Sequence, residues 1–189
     1  MARNWKNVTT IESHAFTCGH CGNDVASDKG YFDGGGHARI YICPHCSNPT
    51  YFNAGVQLPQ VAPGNEVQHV PEQVEALYRE ARNCVAVAAY TSSVLACRKL
   101  LMNIAVSQGA VESLRFIEYV DHLANSGFVP PNGRGWVDHI RRKGNEATHE
   151  IQLMSQEDAN ELISFAEMLL KFIYEFPARV PADKGGSNA

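Results

Sequence analysis

The chain has no apolar run of roughly 18 residues, the length a membrane-spanning helix requires. Its opening stretch, Met1-Ala2-Arg3-Asn4-Trp5, lacks the apolar centre of a secretory signal. The expectation is a soluble, cytoplasmic protein with no membrane partner. An excess of one charge is missing as well: 16 basic against 20 acidic side chains leave a net charge of -4. No global field therefore draws the chain to nucleic acid, and any such contact needs a local basic patch. Repeats and low-complexity runs do not stand out.

What is present suffices for one good core. With 189 residues and 44% hydrophobic content, the chain can bury one main domain and carry a small accessory unit. Of its six cysteines, four fall in two Cys-x-x-Cys pairs, Cys18-Gly19-His20-Cys21 and Cys43-Pro44-His45-Cys46, with 21 residues between the pairs. Without a signal segment, metal ligation accounts for them better than disulfides do. Gly and Pro place each pair in a tight turn, and two such knuckles facing each other supply four thiolates to one tetrahedral ion. Zn2+ bound by Cys18, Cys21, Cys43 and Cys46 as a structural ion is the expectation, with a redox pair or free thiols as the other accounts. His20 and His45 lie inside the knuckles and are either exposed or substitutes for a cysteine.

The stretch between the knuckles reads as a hairpin. Tyr31-Phe32 leads into the turn cluster Asp33-Gly34-Gly35-Gly36, and Ala38 to Ile42 alternates as a strand does. A zinc ribbon over residues 1–57 follows, the metal replacing the core that so short a segment cannot build. Four basic and four acidic residues in that span favour a structural or protein-contact role over nucleic-acid binding. Residues 58–70, with Pro59, Pro63 and Gly64, read as a linker.

From Pro71 the pattern becomes helical. Apolar residues recur at helical spacing from Val74 to about Val106, as one long helix or two in succession, with a middle of small residues that lets a neighbouring helix approach. A helix over about 111–125 buries Leu114, Ile117, Val120 and Leu123. A short one over about 135–143 carries Trp136, Val137 and Ile140 on one side. Ser155-Gln156-Glu157-Asp158 caps a last helix running to about Phe176. Cys84 and Cys97 fall on apolar helical positions as buried thiols. The fold expected is mainly α: a helical bundle over 71–178, a small β zinc ribbon before it, and a disordered tail over 179–189.

Unusual chemistry outside the cysteines is concentrated in Arg141-Arg142-Lys143-Gly144-Asn145-Glu146-Ala147-Thr148-His149. An arginine and a histidine held together can bind a phosphodiester and move a proton on it. The plainer account makes Gly144 a helix stop, Asn145 an N-cap, and the Arg and His solvated surface groups. Residues 130–149 hold Arg134, Arg141, Arg142 and Lys143 against Asp138 and Glu146, a local excess of two cations. His37, His69 and His122 are isolated and read as surface or capping residues.

Several of these segments together resemble the family called domain of unknown function 4145. They are the cysteine knuckles, Tyr90 with Arg98-Lys99-Leu100-Leu101, the helix from Leu114 to Gly127, the Arg-x-x-Gly-Asn-x-x-x-His block, and the ending from Gln156 to Pro177. The resemblance covers most of the chain. It implies a HEPN-like bundle of four to five helices, a superfamily that includes metal-independent ribonucleases of anti-phage defence systems, often homodimeric. Its shared signature is an arginine, four to six residues, then a histidine, matched by Arg142 and His149. By that resemblance His149 serves as general base or acid on a ribose 2'-hydroxyl, Arg142 and Arg141 stabilise charge on the phosphate, and Asn145 belongs to the same site. The alternative it leaves open is a non-catalytic dimeric adaptor that binds a protein partner in a defence or restriction system. A zinc hydrolase is disfavoured, since four thiolates leave the metal no open position for water.

Overall fold

The structure is a computed structural model, and it describes residues 3–130, 135–140, 142 and 153–180. It divides into two compact units, Met1–Pro63 with Asn83–Ala89, and Gly64–Arg82 with Tyr90–Ala189.

The first unit is a five-stranded antiparallel meander in the order β1-β2-β3-β4-β5: β1 (Thr9–Thr17), β2 (Asp24–Phe32), β3 (Ala38–Ile42), β4 (Pro49–Asn53) and β5 (Val56–Leu58). The β2–β3 hairpin turns where the Gly cluster predicts, with Tyr31 opposite Ile40 and Ile40 opposite Tyr51. The register between β1 and β2 shifts between Thr10 and His14. Such an irregularity bends a strand, and the rings of His14 and Phe16 lie against Tyr41 and Phe52 on the core face. Phe16, Cys18, Tyr41 and Cys43 form the buried cluster of this unit. Trp5 donates its indole N–H to the Ser47 carbonyl at 2.8 Å.

The expected mainly α class is overturned. Among the described residues 19% are in strand and 45% in helix, so the fold combines an antiparallel sheet with helices. The strands that sequence periodicity did not predict are β4 and β5. Pro49 opens β4, and the β4–β5 turn is made by Ala54 and Gly55, both at positive φ (48° and 80°). Two left-handed residues in succession give the twist a two-residue hairpin needs, and Ala is an unusual residue to supply one of them.

The helical run from Val74 to Val106 resolves into α1 (Glu72–Ala86), whose last residues from Asn83 belong to the first unit, and α2 (Tyr90–Ser107) of the second. Ala88 at φ 61° marks the break between them. α2 buries Val94, Cys97, Leu100, Leu101, Ile104 and Ala105, each Leu or Ile worth about 1.5–3 kcal/mol relative to exposure. Ser93 sits among them because it is small and its hydroxyl donates to the Ala81 carbonyl of α1 at 2.8 Å. α3 (Phe116–Asn125) begins later than expected and buries Phe116, Tyr119, Val120 and Leu123. A short helix, α4, covers residues 135–140 and directs Val137 and Ile140 inward.

α5 (Gln156–Leu170) starts at Ser155, whose hydroxyl accepts from the Asp158 N–H while Asp158 accepts from the Ser155 N–H. These bonds satisfy donors that a bare helix start leaves open. The helix then widens through a π turn at Lys171–Glu175 into α6 (Phe176–Arg179). No helix among the described residues is long and apolar enough to cross a membrane.

Candidate functional site

The meander brings the four cysteines together. The β1–β2 and β3–β4 turns necessarily share one end of an up-and-down sheet, and those two turns are the knuckles. Both close the same way. The Cys18 N–H donates to the Asn23 carbonyl and the Cys43 N–H to the Asn48 carbonyl, each at 2.9 Å; the Gly22 and Ser47 N–H groups donate back to the Cys18 and Cys43 carbonyls. The repeated pattern Cys-x-His-Cys-x-Asn, at 18–23 and again at 43–48, underlies this symmetry.

All four sulfurs lie within 4.8 Å of one another, and none is in a disulfide. Across the knuckles, Cys18 Sγ is 3.8 Å from Cys46 Sγ and Cys21 Sγ is 3.9 Å from Cys43 Sγ. A tetrahedral ion with metal–sulfur bonds of about 2.3 Å requires sulfur–sulfur edges of about 3.8 Å. The donor set therefore fits one thiolate-bound ion. Beyond the sulfurs, Asn48 Nδ2 donates to Cys46 Sγ at 3.4 Å, and Asn23 Nδ2 donates to the Cys21 carbonyl at 3.1 Å and to His45 Nδ1 at 3.2 Å. His20 Nε2 donates to the Pro49 carbonyl at 2.9 Å. His20 is thus engaged outside the cluster, while His45, held by Asn23, reaches the Cys21 thiol, and the two asparagines support the cluster.

The thiols are not equivalent before a metal binds. Burial pushes Cys18 and Cys43 up, against the pull of backbone N–H groups in their own knuckles. Burial acts on Cys21 in the same sense, but hydrogen bonds from the Asn23 side chain and backbone outweigh it and bring that thiol down. A metal must displace protons from the buried pair, which links its capture to pH.

Of the residues proposed for phosphodiester chemistry, Arg142 is helical and exposed. Arg141, Asn145 and His149 lie outside the described residues. The same short helix carries a second polar relationship: His139 Nε2 pairs with Glu161 of α5, 22 residues away in sequence and unmarked by any local motif. Trp136 packs edge-on against Phe165, centroids 5.0 Å apart. On α2, the Arg98 guanidinium lies over the Phe116 ring at 4.2 Å. Burial lowers its pKa, and its Nη1 is buried without a hydrogen-bond partner among the described residues.

Fold and site together define a protein that carries a four-cysteine sheet unit ahead of a helical unit with a basic segment after α4. Within that class, the chain belongs to the family described as Domain of unknown function (DUF4145), whose model matches residues 79–184. No curated protein matches the chain, and no solved structure does.

Proposed function

We propose that the chain is a HEPN-type RNA-cleaving protein of a defence system, acting as a homodimer without a catalytic metal, with a structural Zn2+ held in a ribbon by Cys18, Cys21, Cys43 and Cys46. The observation that carries the reading is the spacing of Arg142 and His149 in a chain of this family, with Arg142 exposed on a helix rather than spent in the core. Zinc bound by four thiolates stabilises its unit and has no coordination position left for water. Chemistry therefore falls to side chains of the helical unit.

In this reading His149 accepts the proton of a ribose 2'-hydroxyl as the oxygen attacks the adjacent phosphorus. The bond from phosphorus to the 5'-oxygen breaks, and that oxygen leaves with a proton. Arg142, aided by Arg141, neutralises charge building on the non-bridging oxygens, and Asn145 orients the segment between them. The products are a 2',3'-cyclic phosphate and a 5'-hydroxyl. The test is to incubate the zinc-loaded protein with RNA in buffer free of added divalent metal, comparing wild type with Arg142→Ala and His149→Ala. Cleavage by the wild type with a loss of at least a hundredfold in each variant is expected. Equal cleavage by all three removes the assignment.

A further inference from the structure

Beside α4 an open cleft of about 520 Å³ is lined by Trp136, Gln156, Glu157, Asn160, Glu161 and Ser164, within the range of small-ligand sites, about 300–1,000 Å³. One wall is an indole. The other is a stripe of amides, carboxylates and a hydroxyl from successive turns of α5. Trp136 is half-buried, and its edge contact with Phe165, the planes at 86°, fixes the ring where it borders the cleft.

The polar neighbours differ in how they are held. Gln156 Oε1 accepts from the Tyr90 hydroxyl at 3.4 Å, and Glu161 is paired with His139. Glu157 is exposed. Asn160 is the exception: its Oδ1 is shielded from water and has no hydrogen-bond partner among the described residues. Among the described residues none therefore holds that oxygen by a hydrogen bond. No lysine or arginine among the described residues lines it.

We infer that this cleft is a nucleobase subsite for single-stranded RNA, selecting adenine or cytosine, whose amine sits where guanine and uracil carry a carbonyl, and that the base stacks on Trp136 and donates to Asn160 and Glu157. The inference rests on the RNA reading above for its substrate class. An indole stacks on any base and by itself carries no sequence preference. The neighbouring groups supply one: an Asn amide matches the donor–acceptor edge of adenine, and a Glu carboxylate accepts from the cytosine amine. Uracil offers a carbonyl where the amine would be and meets the acceptor-only carboxylate of Glu157 there. Arg142, the phosphate-binding residue of the proposed function, lies six residues beyond Trp136 in the sequence and is exposed.

Trp5 is the only other indole in the chain, so in a Trp5→Phe background Trp136 is the sole reporter. Titration with 2'-deoxy oligomers of adenine, cytosine or uracil reads binding without cleavage, because they have no 2'-hydroxyl. The adenine and cytosine oligomers should quench Trp136 and bind at least tenfold more tightly than the uracil oligomer. Glu157→Gln combined with Asn160→Ala should bring all three to one affinity. Trp136→Phe, which keeps a ring against Phe165, should weaken binding of labelled adenine oligomer without altering the thermal midpoint. Equal affinity for the three oligomers, no quenching by any of them, or preferential occupancy of the cleft by an arginine-rich peptide overturns the subsite. Discrimination without RNA cleavage by the wild type keeps the subsite and removes the nuclease reading. Cleavage without discrimination does the reverse.

Discussion

Ser47 adopts in the second knuckle the left-handed backbone that Gly22 adopts in the first, φ 58° against 69°. Each donates its N–H to the carbonyl of the first cysteine of its turn, so the conformation is imposed by the turn and not chosen by the residue. For an L side chain that region costs about 1–2 kcal/mol. Ser47→Gly should stabilise the zinc-loaded protein by about 0.5 kcal/mol after the extra freedom of glycine in the unfolded chain is counted. Gly22→Ala should destabilise it by about 1 kcal/mol. Denaturant midpoints of the two variants check the pair, and shifts of the same sign would contradict the shared geometry.

Gly30 has a different reason to be glycine. A Cβ there would lie 1.8 Å from the Ile40 carbonyl oxygen, and that atom belongs to the main chain of β3, which cannot yield without breaking the β2–β3 ladder. Gly30→Ala should cost about 3 kcal/mol. A midpoint within 0.5 kcal/mol of wild type, on the order of an ordinary surface substitution, would show that the strands can slide apart.

Much of this architecture was legible because its signals are local. The knuckles announce themselves by spacing, the β2–β3 turn by Asp33-Gly34-Gly35-Gly36, and the start of α5 by Ser155 and Asp158. β4 and β5 were not legible, since a proline opens one and an alanine takes the left-handed turn position between them. The support of the cysteines by Asn23 and Asn48 could have been found in the Cys-x-His-Cys-x-Asn repeat. The pairing of His139 with Glu161 could not, because it depends on how α4 meets α5. The Arg142 to His149 block stands out in the sequence by its residue types, but its role in the proposed chemistry comes only from the family resemblance, and His149 lies outside the described residues.

Metal removal should act on the sheet unit first. The zinc-loaded protein is expected to carry one equivalent of metal per chain, lost in Cys43→Ser. On chelation, amides flanking the two knuckles should lose protection from hydrogen exchange while those of α5 keep it. Unchanged exchange around Cys18–Asn23 and Cys43–Asn48 would contradict the metal's structural role.

The acid limb of stability should depend on Glu167. Burial raises this carboxyl, but hydrogen bonds from Lys171 and from the Asn65 side chain and backbone, the latter two each at 3.0 Å, outweigh it and leave the carboxyl below its ordinary value of 4.5. A depressed folded-state pKa contributes stability that is present above the unfolded value and is lost as pH falls through the folded one. Glu167→Gln should destabilise by about 1–2 kcal/mol at neutral pH and flatten the decline below pH 4.5. Urea midpoints of both proteins across the acid range measure this, and parallel curves would contradict it.

In the proposed reaction, cleavage uses the ribose 2'-hydroxyl beside the broken bond, activated by His149 with Arg142 on the phosphate. Its most direct test offers the wild-type protein an RNA oligomer and the same oligomer with a single 2'-deoxy nucleotide at the cleaved position. A cut leaving a 2',3'-cyclic phosphate is expected in the first and none at that position in the second. A cut of equal rate in both, or intact RNA with folded, zinc-loaded protein, contradicts it.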